Sequence, residues 1–185
     1  MRLPVTGSQT VGPFFRIGME ALFREDLARP DVAGERITIH GRVLDGDGVG
    51  VPDAQIEIWQ ADAQGNHGET ERSEEKRFWG FGRVPTDEKG GFRFTTIKPG
   101  CVAGPENSTQ APHLVVLLFM RGLLRHLVTR VYFADEAANS NDAILKLVPA
   151  ERRDTLLAER QHSETVTYQW NIHLQGDQET VFFDV

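Results

Sequence analysis

The chain has 185 residues, 39% hydrophobic and 25% charged, with 20 Lys plus Arg against 27 Asp plus Glu, a net charge of −7 and one cysteine. That length and balance fit one globular domain able to fold without a disulfide or metal staple, and they exclude a disordered tract or a nucleic-acid binder built on a basic stripe. The longest apolar run, Leu114 to Met120, is far short of the ~20 residues of a membrane span, and Met1 to Gly12 lacks the basic start and apolar stretch of a secretory signal. The expectation is a cytoplasmic protein without membrane contact. Cys101 has no partner for a disulfide within the chain.

The Gly and Pro residues separate short apolar or alternating runs, the spacing of strands joined by turns. Gly18 to Ala28 is a weak helical candidate. Ile37, Ile39 and Val43 alternate with Thr38, His40 and Arg42, a half-buried strand at period two. Asp45-Gly46-Asp47-Gly48 is a strong turn signal. Gln55 to Ala61 is a second strand, with Ile56 and Ile58 on one face and Glu57 and Trp59 on the other. Residues 62–77 read as a long exposed loop. Phe81 to Pro85 is a strand, Asp87 to Gly91 a turn, and Phe92 to Ile97 its returning hairpin partner.

After a loop at 98–111, His113 to Met120 is apolar on both faces, as in a central strand covered on each side. Arg121-Gly122 turns it into Leu127 to Phe133. Pro149 to Gln161 reads as a helix with proline near its start. Val166, Tyr168, Trp170, Ile172 and Leu174 give the cleanest alternation, and Gly176-Asp177 with Thr180 to Phe183 close a last hairpin. The sum is an all-β chain: one domain over 1–185, a two-sheet β-sandwich with short helical decorations and an amino-terminal arm over 1–35.

Side-chain chemistry is sparse. There is no Gly-x-Ser-x-Gly elbow, P-loop or activated thiol pattern, and Gly46, Gly48 and Gly50 belong to a turn. Of the histidines, His40 and His173 lie on polar strand faces, and no close metal-ligand spacing occurs. His113 opens the apolar strand, which favours a neutral, hydrogen-bonded core imidazole; a metal pair with His126 across the hairpin is the competing possibility. Arg130 is the more informative residue, a guanidinium in mid-strand between Val128 and Tyr132. Burial there demands an internal carboxylate partner, an outlet at the sheet edge, or a carboxylate-bearing ligand gripped by its fork.

Several segments carry a resemblance: Ile39-His40-Gly41-Arg42-Val43 through Ile56-Glu57-Ile58-Trp59-Gln60-Ala61 and Gly65, the arm Ser8 to Phe15, Lys98-Pro99-Gly100, Ala111-Pro112-His113, Thr129 to Phe133, and Glu179 to Asp184. Over nearly its whole length the chain resembles the intradiol ring-cleavage dioxygenases, non-haem ferric enzymes that open catechols between the hydroxyl-bearing carbons. The resemblance implies a β-sandwich. Catalytic members hold Fe3+ with two tyrosines and two histidines. The matching positions here are His67, Val102, His113 and Val115, and Gln110 replaces an arginine expected shortly before the histidines. The implied role is that of a non-iron-binding alpha subunit, with no catalytic or metal-ligating residue of its own.

The same resemblance implies an iron-bearing beta subunit as partner in a hetero-oligomer of alpha–beta pairs, with the arm packed on that partner. Thr10, Gly12, Pro13 and Arg130 are then the residues expected to line the substrate pocket. The implied substrates are O2 and a carboxylated catechol, 3,4-dihydroxybenzoate, opened to 3-carboxy-cis,cis-muconate. Two alternatives belong to other classes: a β-sandwich binding module that has lost its iron site and acts independently, and an autonomous metalloenzyme built on His67, His113 and His126.

Overall fold

The structure is a computed structural model that describes residues 5–28, 30–68, 78–104 and 107–184. Part of the loop expected at 62–77 lies outside the described residues. Alternating runs become strands almost where the sequence puts them: β1 is Arg36–Leu44, β2 Gln55–Gln60 and β3 Phe81–Pro85. They are followed by β4 Gly91–Ile97, a short ribbon of β5 Val102–Ala103 with β6 Thr109–Gln110, then β7 His113–Phe119 and β8 Leu127–Phe133. The late strands are β9 Leu157–Gln161, β10 Thr167–Gln169 and β11 Ile172–His173. Among the described residues helical structure is limited to one short α-helix, α1 (Ala143–Leu147), and 3-10 turns, and no described helix is long and apolar enough to cross a membrane.

The main sheet is one hydrogen-bonded path, β11-β1-β10-β9-β8-β7-β2-β3, with β4 on the free side of β1. Ile37 and Ile39 of β1, Phe94 of β4, Ile56 and Ile58 of β2, and Leu114 and Val116 of β7 all belong to one buried cluster. Both ends of the path therefore enclose the same apolar core. β9 makes them continuous, pairing parallel to β8 and antiparallel to β10.

That strand corrects the expectation of a helix over Pro149–Gln161. A 3-10 turn occupies Ala150–Leu156, with Leu156 buried, and the rest extends as β9 because strand edges on both sides satisfy its backbone. Gly18–Ala28 is likewise not a helix beyond a 3-10 turn at Glu20–Leu22. β3 and β4 are not hairpin partners: β3 pairs with β2 and β4 with β1. Asp87 Oδ1 accepts from Lys89 N and Gly91 N, turning the chain at a corner instead of folding it flat.

The long run 166–174 is interrupted at Trp170–Asn171, where the Asn171 amide oxygen takes the Arg42 N–H at 3.0 Å in place of a backbone carbonyl. Gly41 permits this approach, since a Cβ there would lie 1.6 Å from the Trp170 carbonyl oxygen. The last segment is no simple hairpin arm either. Thr180 N donates to His173 O, but Phe183 bridges to Val128 of β8.

The outer edge of β3, at one end of the path, and that of β4 are both met by the amino-terminal segment. Arg24 exchanges backbone bonds with Arg83 of β3, and Thr95 of β4 donates to Glu25 O and accepts from Leu27 N. Leu27 and Ala28 are buried in this chain's own interior.

Gln60, 1% exposed, ties β2 to β4. Its amide nitrogen donates to Ile97 O at 2.9 Å and Ala61 O at 3.0 Å, and its oxygen accepts from Thr96 Oγ1 at 2.8 Å. Gln60→Leu should destabilise the fold by about 2–3 kcal/mol, the cost of buried polar groups left unpaired. Equilibrium urea unfolding measures this, and a loss below ~0.5 kcal/mol would mean that the tie contributes little.

Candidate functional site

The pairing of β7 with β8 places His113 opposite Tyr132 and Val115 opposite Arg130, and β2 sets Trp59 opposite Val115. Residues two apart on a strand share a face, so His113, Val115, Trp59, Arg130 and Tyr132 line one end of the sheet's outer surface. The loop after β2 brings His67 over Trp59, the rings stacked at 6.1 Å and 6°. Gly65 lets that loop close down: at φ +83 it faces the Cys101 carbonyl oxygen, which would be 1.9 Å from a Cβ. Val102 follows, paired with Gln110. His67, Val102, His113 and Val115 thus gather around one place.

A polar network runs beneath them. Arg130 Nη1 donates to Gln110 Oε1 at 2.6 Å and lies 3.4 Å from Tyr132 Oη. Tyr132 donates to Asp142 Oδ1 at 3.2 Å, and Asp142 Oδ2 accepts from Ala111 N at 2.8 Å. Asp142 also caps α1, its Oδ1 accepting from Leu145 N at 2.7 Å. His113 Nδ1 is 2.7 Å from the Ala111 carbonyl, so the neutral ring carries its proton there and leaves Nε2 as the acceptor.

Burial pushes the His113 pKa down to about 4; the Ala111 carbonyl opposes that shift and the Arg130 charge adds to it. The imidazole is neutral near pH 7, the core histidine that strand position predicts. Its pairing with His126 does not occur. His126 packs on Phe119, with ring centroids 5.2 Å apart, at the far end of the hairpin, because β7 and β8 are in register with His113 against Tyr132.

Do these residues suit a ferric ion? Val102 and Val115 offer no donor atom, and a phenolate ligand needs a tyrosine that ionises readily. The two tyrosines of the chain are biased the other way. Burial raises Tyr132 to about 12, and burial with a hydrogen bond to Asp135 raises Tyr168. Their hydroxyls are directed at Asp142 and Asp135. Among the described residues no three His, Cys, Asp or Glu side chains group as metal ligands. The site does not fit the ferric donor set.

Arg130 has a neutral partner, Gln110, and no carboxylate within ion-pair distance among the described residues. Of the three outcomes open to a mid-strand arginine, an ion pair with an internal carboxylate does not occur among the described residues. Thr10 lies elsewhere, on the turn that joins β7 to β8, accepting from Gly122 N at 2.8 Å. The Gly12 carbonyl accepts from Phe15 N at 3.0 Å, and Pro13 opens the 3-10 turn Pro13–Phe15. Four residues of β7, Val116 to Phe119, separate that end from Val115 and Arg130, roughly 14 Å of strand or more. Within one chain, Thr10, Gly12 and Pro13 are not brought together with Arg130. Asp142 was not among the expected site residues, although an Asp ahead of Ala-Ile-Leu-Lys-Leu is a legible helix cap.

A family model described as Dioxygenase matches residues 12–176. The protocatechuate 3,4-dioxygenase alpha chain of Burkholderia cepacia is 44% identical over 99% of this chain and 98% of its own length. The beta chain of the same organism's enzyme is 30% identical over 94% of this chain and 77% of its own. Among solved structures, a dioxygenase domain from Streptomyces sp. SirexAA-E superposes with a TM-score of 0.67 at 23% identity, covering 86% of this chain and 89% of that one, which supports the fold. The family match and the near end-to-end identity agree with the resemblance carried by the motifs: this chain belongs to the dioxygenase family and, within it, stands with the protocatechuate 3,4-dioxygenase alpha chains.

Proposed function

We propose that the chain is the alpha subunit of a cytoplasmic protocatechuate 3,4-dioxygenase, pairing with a beta subunit that carries Fe3+. The enzyme opens 3,4-dihydroxybenzoate with O2 to 3-carboxy-cis,cis-muconate. In this reading the two halves of the sheet are the layers of a β-sandwich, and the arm reaches toward the partner. The observation that carries the reading is the pairing of a donor-poor ligand set with Arg130. Where the catalytic pattern calls for tyrosine and histidine this chain has Val102 and Val115, while its guanidinium meets a neutral amide and, among the described residues, no carboxylate.

Arg130 supplies the charge. Gln110 takes one N–H of Nη1, leaving donors of the same fork for an anionic ligand, and arginine matches a carboxylate bidentately. Gly12 and Pro13 supply shape: a position without a side chain beside a rigid ring lets backbone approach an aromatic face. Assembly would bring these two stations to bear on a pocket, since they stand apart in one chain. Their work is to bind, orient and exclude water; the ferric chemistry belongs to the partner.

Two measurements test this. The chain purified without a partner from iron-rich medium should carry negligible iron, whereas co-expression with a beta chain should yield a coloured, ring-cleaving complex. About one iron per chain in the isolated protein would overturn the ligand argument and return attention to His67, His113 and His126. In the complex, Arg130→Ala should raise KM for 3,4-dihydroxybenzoate by about tenfold or more, the loss of a charge-assisted pair, with a much smaller effect on catechol. Equal effects on both substrates would remove the carboxylate role.

A further inference from the structure

The outer face of the sheet holds a buried ion pair that the reading above leaves without a task. Arg83 on β3 faces Glu57 on β2, with Nη1 to Oε1 at 2.5 Å and side chains only 7% and 15% exposed. The arm covers them. Arg83 Nη2 donates to the Phe15 carbonyl at 2.9 Å, and the guanidinium lies 4.6 Å from the centroid of the Phe15 ring. That ring also packs on Phe119, 4.9 Å away. The backbone of Arg83 meanwhile bonds with Arg24, so one residue grips the arm at two places.

This is a costly way to seal a sheet face. Desolvating two charges is expensive, and well-packed apolar side chains of similar volume often do as well or better. Gln55, on the same face and opposite Phe119, is buried with neither amide atom hydrogen-bonded. What the pair provides that an apolar seal would not is register: a donor fork and a flat cation hold the Phe15 carbonyl and ring in one arrangement. Register passes up the chain through the 3-10 turn. Phe15 N donates to Gly12 O at 3.0 Å, and Arg16 N and Ile17 N both donate to Pro13 O.

We infer that Arg83 is a positioning residue: neutralised by Glu57, its guanidinium clamps the carbonyl and ring of Phe15 and so sets where Gly12 and Pro13 stand against the substrate. The inference rests on the reading that this turn lines the pocket.

The test uses the co-expressed alpha–beta enzyme. Arg83→Met keeps the stem and removes the fork; KM for 3,4-dihydroxybenzoate should rise about tenfold, with kcat within about twofold and iron content unchanged. Trypsin should cut after Arg16 faster than in the parent. Arg83→Lys, which keeps the charge but not the planar fork, should recover only part of the KM. Phe15→Ala leaves the ion pair intact and should raise KM in the same way; it decides the matter should Arg83→Met fail to assemble.

Gly12→Val separates this inference from the reading beneath it. If Gly12→Val raises KM while Phe15→Ala and any assembled Arg83→Met do not, the positioning role is overturned and the pocket reading stands. If none of them moves KM, the pocket reading falls and the inference with it. A lowered kcat at unchanged KM, or lost iron, would make Arg83 an assembly residue and overturn the proposal.

Discussion

The register of β7 against β8 is the constraint on which the rest of the site depends. With His113 opposite Tyr132 and Val115 opposite Arg130, the histidine, the guanidinium and the phenol must share one face at one end of the strand pair. The same pairing carries the hairpin turn, and with it the seat of Thr10, to the other end. A slip of one residue would exchange the faces entirely, turning Arg130 toward the apolar cluster that includes Leu114, Val116 and Val131. Register is held because those inward residues cannot be turned to water without losing the core.

Around this frame, Gln110, Arg130, Tyr132 and Asp142 form a local polar circuit. Asp142 joins a helix cap, a backbone N–H and the Tyr132 hydroxyl, while Tyr168 is directed at Asp135. A hydroxyl held against a carboxylate resists ionisation, because losing its proton would set two anions side by side. The chemistry that a phenolate could perform is thereby replaced by rigidity. Arg130 is the member of the circuit whose charge is met by a neutral amide, and it is where the protein has charge to offer outward.

Much of this was legible in the sequence. Period-two alternation located β1 and β2, because each has one face on the core and needs no distant partner to show its pattern, and a continuous apolar run located β7. Arg130 stood out because a guanidinium is anomalous in the middle of an apolar strand. β9 was not legible: Leu156 and Leu157 suit a short helix as well as a strand, and the choice falls to the edges of β8 and β10, far away in sequence. The separation of β3 from β4 escaped for a related reason, since a turn at Asp87 looks alike whether the chain folds back or crosses over. Arg83 gave no signal, because a strand arginine opposite a glutamate reads as solvated until the arm is seen to cover it. The contribution of Asp142 likewise depends on Ala111 and Tyr132, which no local pattern connects to it.

The backbone contacts of Arg24, Glu25 and Leu27 with the edge strands have a consequence for solubility. An unpaired strand edge is a template on which another chain can add. Here β3 and β4 both give backbone groups to one segment of the same molecule, which bridges the two edges. A chain shortened beyond Asp26 would expose both edges at once, inviting strand-to-strand stacking between copies. The same segment that carries the arm to its turn thus occupies backbone groups that an added strand would need.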